Sequence, residues 1–169
     1  YDRHAQRVLR TLRGHKSYVL GVAFSADGTR LASRSADKTV RVWNVGDGKL
    51  VFEHPGTGAG LGDLAFSPDG ALIATPGEES AVVVLDSFSG AVRWQLRGHA
   101  ACVRSVAFSQ DGNWLASAGD DRTVRLWNPQ TGALAQGLFC TDRGWVLFDA
   151  CGSCISNGGL FVSTPTELS

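Results

Sequence analysis

Apolar and polar positions alternate along this chain in short bursts, each closed off by a turn. The segments VAFS (22–25 and 106–109), LAS (31–33 and 115–117) and TVRVW or TVRLW (39–43 and 123–127) all step with a period of two. That period is the mark of half-buried strands. Between them stand SADG, SPDG and SQDG, whose Asp-Gly pairs supply the positive φ of a tight hairpin. The third segment of each group is rich in β-branched and aromatic residues, which suit a pleated surface. After GDG, FSG or QTG, a fourth short strand is predicted through KLVFE, AVRWQL or ALAQGL. No helix-period stretch interrupts the series, so the pattern predicts an all-β chain.

The strands recur as one unit. Phe-Ser occurs at 24–25, 66–67 and 108–109, and Asp-Gly at 27–28, 69–70 and 111–112, each 42 residues apart. Trp43, Leu85 and Trp127 form a third column in the same register. Gly14-His15 and Gly98-His99 stand two periods apart. Three columns in one register make this a repeat architecture, built by stacking one supersecondary unit.

Four strands in about 42 residues, bounded by Gly-His and Trp-Asn, resemble the WD-repeat β-propeller blade. The resemblance covers nearly the whole chain. It rests on GH…VAFS.DG..LAS…D.TVR.WN in the first and third copies, is moderate in the second, and is poor in the fourth. Both good copies end in Trp-Asn where the family has Trp-Asp. The regular F-S-x-D-G-x-x-L-A-S style also looks like that of bacterial members.

The resemblance implies blades of four antiparallel strands with a buried hydrogen-bond relay in each. Carried over by register, the relay is His15, Ser33, Asp37 and Trp43 in the first copy, and His99, Ser117, Asp121 and Trp127 in the third. The residue types suit one another, because an indole N–H only donates, a carboxylate only accepts, and Ser and neutral His do both. The second copy places Thr57, Thr75, Glu79 and Leu85 there. Without an imidazole or an indole that blade lacks the clamp, and is expected to open most easily.

The expected divisions are an outer strand of a preceding or closing blade in 1–13 (RVLRTL, 7–12), then blades at 14–55, 56–97 and 98–139. An incomplete fourth blade follows at 140–163, with an inner strand at 144–148, and then a tail at 164–169. About four blades make a partial propeller or half of a larger ring. Three readings follow: a segment of a longer propeller, a homodimer closing an eight-bladed ring, or a ring that closes alone. The chain contains no methionine, which favours a segment of something longer.

Composition narrows the chemistry. Sixteen basic and sixteen acidic residues cancel, so no net field recruits nucleic acid or an anionic membrane. No apolar run approaches a bilayer span. The cysteines at 102, 140, 151 and 154 are too sparse for a disulfide scaffold, and only Cys151-Gly-Ser-Cys154 has CxxC spacing. His4, His15, His54 and His99 add no matching ligand pair, so neither metal nor cofactor is expected. The reading is a reducing, cytoplasmic protein.

HPGTGAGLG (54–62) lacks the Gly-Lys-Ser/Thr ending of a phosphate loop and reads as an inter-blade connection. Ser, His and Asp are the parts of a hydrolytic triad. Here they recur in register within a packed blade, and no G-x-S-x-G elbow is present. They read as structural, and no catalytic residue is assigned. Arg41 and Arg125 are expected on solvated strand faces, with Trp94 and Trp114 partly exposed.

Fold does not dictate function, but loops on a stiff scaffold can carry recognition. The expected function is a non-catalytic scaffold for a protein or peptide partner. By resemblance, partners meet the loop entering the inner strand and the turn before the third strand. Those positions hold Lys16, Tyr18 and Ala36, then Glu78, then Cys102 and Asp120, with Tyr18 the best anchor. The alternative is the sensory or regulatory segment of a larger signalling enzyme fused to a kinase, nucleotidase or protease domain.

Overall fold

The computed structural model describes residues 7–56, 62–141, 144–149, 153–156 and 159–162. The first sheet comprises β1 (Val19–Phe24), β2 (Arg30–Ser35), β3 (Thr39–Asn44) and β4 (Leu50–Pro55). The second comprises β5 (Ala65–Phe66), β6 (Leu72–Pro76), β7 (Val82–Asp86) and β8 (Val92–Leu96). The third opens with β9 (Val103–Phe108), β10 (Leu115–Gly119), β11 (Thr123–Trp127) and β12 (Leu134–Thr141). Each group of four pairs antiparallel in sequence order, which is the arrangement of a propeller blade.

The turns follow from side-chain chemistry as well as from glycine. Gly28, Gly70 and Gly112 carry φ of 68°, 71° and 73°, a region glycine enters without strain. Just before each, a serine hydroxyl donates to the aspartate carboxylate at 2.5 Å, in Ser25–Asp27, Ser67–Asp69 and Ser109–Asp111. The serine oxygens in turn accept the N–H of Arg30, Leu72 and Trp114, at the first residue of the next strand or the one just before it.

The sheets stack face to face. Ala32, Val40 and Val42 of the first meet Leu64, Ile73, Val83 and Leu85 of the second. On the other face of the second sheet, Ala74, Val82 and Val84 meet Val103, Val106, Leu115 and Trp127 of the third. The middle blade is therefore apolar on both faces. Packing on two sides occupies the place of the missing relay, which is a physical reason against its being the weakest blade.

An aromatic contact repeats with the same period. Phe52 of β4 covers Gly90 of the second blade, and Trp94 of β8 covers Gly132 of the third. The Trp94 indole N–H also donates to the Pro129 carbonyl at 3.1 Å. These glycines, like Gly48, have φ of 72–75°. Any Cβ at Gly90 or Gly132 would collide with the ring above it.

The structure departs from expectation at two places. Residues 8–15 form no strand, although Arg10 stands in register with Phe52 and Trp94. Its side chain packs against Gly48, and its Nε donates to the Val45 carbonyl at 3.2 Å. The position is kept, but among the described residues no strand pairs with residues 8–15 to build a ladder. The second departure concerns β13 (Gly144–Asp149), β14 (Ser153–Ser156) and β15 (Gly159–Val162). They do not begin a fourth blade but extend the third sheet outward from β12. Only residues 142–143 separate β12 from β13, with Thr141 opposite Gly144. So short a link makes a hairpin, whereas crossing from β8 to β9 takes residues 97–102.

Candidate interaction face and the relays beneath it

Each relay begins in the loop before the inner strand. The His99 Nδ1–H donates to the Asp121 carboxylate at 2.9 Å, and its Nε2 lies 2.7 Å from the Ser117 oxygen. The Trp127 indole N–H donates to that same oxygen at 2.8 Å. Since the carboxylate can only accept, the ring carries its proton on Nδ1, and the Ser117 hydroxyl donates to Nε2. The first blade repeats this: His15 to Asp37 at 3.0 Å, His15 to Ser33 at 2.8 Å, and Trp43 to Ser33 at 2.8 Å. A fifth member went unread in the sequence. Thr39 and Thr123 donate their hydroxyls to Asp37 and Asp121 at 2.7 and 2.8 Å.

Electrostatics follow from burial. Burial pushes the His99 pKa below the ordinary imidazole value, against the pull of Asp121, so the ring is neutral. Burial pushes Asp37 up, but N–H and hydroxyl donors from Lys16, Thr39 and His15 together hold it well below the carboxylate range. Asp121 behaves alike, with Ala100, Thr123 and His99 as its donors. Both serine hydroxyls are buried and engaged on two sides. Neither is presented to a substrate.

Arg41 and Arg125 are not on solvated faces. They lie on the side of the third strand that carries the tryptophan and press against Gly14 and Gly98, which excludes any side chain there. Arg41 is buried and pairs with Glu53 at 2.6 Å. A period of two places residues 41 and 43 on one face, a signal available in TVRVW itself.

In the second copy, Thr75 and Leu85 are buried, but Glu79 is exposed and pairs with Arg97 at 2.6 Å. Glu79, at φ of 51°, therefore takes no relay position but points its carboxylate to Arg97. Thr57 lies outside the described residues, as do 57–61 of the glycine-rich stretch and Cys151.

The relays tie down one end of the blades. Lys16 N–H donates to Asp37 at 2.8 Å, and Ala100 N–H donates to Asp121 at 2.9 Å. Two residues on, the Tyr18 carbonyl accepts from Ala36 and the Cys102 carbonyl accepts from Asp120, both at 2.9 Å. Tyr18, Ala36, Cys102 and Asp120 thus meet in register at the same end of their sheets. Tyr18 is 83% exposed. Lys16, Glu78, Cys102 and Asp120 are exposed and Ala36 half-buried.

Two of the expected face residues, Glu78 and Asp120, are paired at this end with cations absent from the sequence-based set, Lys38 and Arg104. Lys38 reaches Glu78 at 3.8 Å across the first two blades, and Arg104 grips Asp120 at 2.8 and 2.5 Å. Its guanidinium holds the Asp120 carboxyl below the ordinary range. Lys38, Ser80 and Arg122 all sit at positive φ, one period apart, in the turn before the third strand. Residues held in that region cost of order 1 kcal/mol or more and persist where the surroundings over-determine them. Among the described residues no group of three or more His, Cys, Asp or Glu is placed to hold a metal.

Comparison with known proteins agrees with this geometry. The model of the WD domain, G-beta repeat, matches residues 6–44 and 90–128, the first and third copies. The chain is 60% identical over 38 residues to vegetative incompatibility protein HET-E-1 of Podospora anserina, covering 22% of this chain and 3% of that protein. It is 47% identical over 49 residues to pre-mRNA-processing factor 19 homolog 2 of Arabidopsis thaliana, covering 28% and 9%. The structure of U3-55K superposes with a TM-score of 0.72 at 22% identity, covering 87% of this chain and 50% of that one. The crystal structure of the RRP9 WD40 repeats gives 0.71 at 21%, covering 86% and 49%. The first and third repeats thus match the WD domain, G-beta repeat, and the fold is that of a partial propeller; the chain spans about half of those solved chains and a small part of those relatives. These relatives are eukaryotic, and the bacterial style read in the repeats finds no support among them.

Proposed function

With WD repeats on a stack of blades, we propose that this chain is a non-catalytic scaffold that holds a protein or peptide partner on the Tyr18 end of its sheets. One observation carries the reading: an exposed aromatic residue, at the same end of the sheets as two charge pairs, stands on backbone fixed by buried relays. Anchors of this kind supply contact area at little entropic cost. A relative is named as a subunit of the THO complex, which supports the same reading. The test is capture of partners on immobilised protein, compared with Tyr18→Ala and with Asp120→Arg. Loss of the same partner with both variants is expected, and unchanged capture with both would sink the reading.

A second reading makes the blades the sensory or regulatory segment of a larger signalling enzyme, and a match covering only 3% of HET-E-1, which places such repeats within a much longer protein, keeps it open. A reading frame holding a kinase, nucleotidase or protease domain beside the repeats supports it, and a frame of blades alone opposes it. A homodimer of two four-bladed halves would require β13–β15 to part from β12. A solution mass of twice 17.9 kDa would favour it.

A further inference from the structure

At the other end of the blades, the first inter-blade groove is filled by the chain itself. Arg30 leaves the first sheet and lays its guanidinium on the second. Its Nη1 donates to the Ser87 carbonyl and hydroxyl at 3.1 and 2.7 Å, and its Nη2 to the Gly70 carbonyl at 3.0 Å. The same guanidinium stacks over Phe88 at 4.0 Å and stands 5.7 Å from the centre of Phe66.

One period later the arginine is missing. Leu72 stands in its place and turns into the core between the second and third blades. The seat remains as a cleft of about 380 Å³, lined among others by Phe108, Gly112, Pro129 and Gln130, the register counterparts of Phe66, Gly70, Ser87 and Phe88. An adjoining lobe of about 200 Å³ reaches Trp94. The Gly112 carbonyl has lost both donors that Gly70 receives, because leucine and proline stand where arginine and serine stood. Asp69 and Asp111 border the cleft. Hydroxyl and N–H donors hold both carboxyls below the ordinary range, so each is ionised.

We propose that this cleft binds the guanidinium of an arginine side chain carried by a partner peptide, seated as Arg30 is seated one blade earlier. A planar fork of donors spans two carbonyls where an ammonium reaches one, and two carboxylates at the rim favour a cation. Gln130 in place of Phe88 exchanges a stacking face for an amide acceptor. The site is separate from the Tyr18 end, and either can fail without the other.

The test titrates N-acetyl-arginine N-methylamide into the folded protein, following the Trp94 indole N–H by NMR. A saturable shift is expected, with the lysine analogue weaker by about tenfold or more. Leu72→Arg, which supplies an internal guanidinium, should abolish it. Gln130→Lys changes an exposed residue and should weaken it by about tenfold through repulsion. Arg30→Leu should open a second saturable site. No shift at saturating ligand, equal binding by the lysine analogue, or unchanged affinity in both Leu72→Arg and Gln130→Lys overturns the proposal. Free L-arginine binding about tenfold tighter than the capped form would overturn the assignment to a peptide side chain.

Discussion

Ser117 Oγ sits between two groups that have nowhere else to turn. It accepts from the Trp127 indole and donates to His99, and all three side chains are buried. Ser117→Ala leaves an indole N–H and an imidazole nitrogen unpartnered, at about 1–3 kcal/mol each. Urea denaturation should show that loss, whereas Trp127→Phe, which removes a donor along with its need, should cost less of the polar term. An alanine variant as stable as the parent would show that water or another group serves the relay. Acid should weaken the protein in two steps. The folded pKa of His99 is lowered, so the unfolded chain binds more protons as pH falls through about 6.5, and stability declines from there. Asp37 and Asp121 are lowered too, so their stabilisation is present above about pH 4 and lost as pH falls further. A melting temperature flat from about pH 7 to about pH 5 would contradict the neutral, buried His99. His15, Asp37 and Trp43 were legible because the repeat aligned them twice. Thr39, Arg41 and Arg125 were not, because in an alternating TVRVW a charged residue reads as the solvent-facing member, whereas Arg41 shares the buried face of Trp43.

Elements of this chain are held by what lies on their faces. β6 and β7 present Ile73, Val83 and Leu85 to one neighbour and Ala74, Val82 and Val84 to the other. Ile73→Ala should therefore cost about 2–5 kcal/mol, as large-to-small changes in a packed core do. A loss below about 1 kcal/mol would show the first two blades to be loosely joined. The four-strand unit was readable from its period of two and its turns. The fate of β13–β15 was not, because a matching apolar run at 144–148 says nothing of whether its link is long enough to reach a new blade. The Phe52 and Trp94 contacts were spaced by one period all along. They were missed because the chain offers only two such aromatics, and both lie off the tryptophan column.

As a whole, the chain is a stack with two ends and two outer faces. Val22 and Phe24, each 61% exposed, lie on the face of the first sheet turned away from the second. Between the faces, the middle blade bears most of the joining, without a relay of its own. The scaffold reading requires that the three sheets behave as one rigid body, since loops can hold a partner in fixed geometry only on a body that does not flex. Native-state hydrogen exchange, resolved by residue, tests this directly. Slowest exchange is expected in β6 and β7, protection of similar size in β2, β3, β10 and β11, and fast exchange in β13–β15, which lie outside the blade-to-blade packing. If β6 and β7 exchange well before the sheets on either side, the relays rather than blade-to-blade packing hold the molecule, and it is two clamped blades on a hinge.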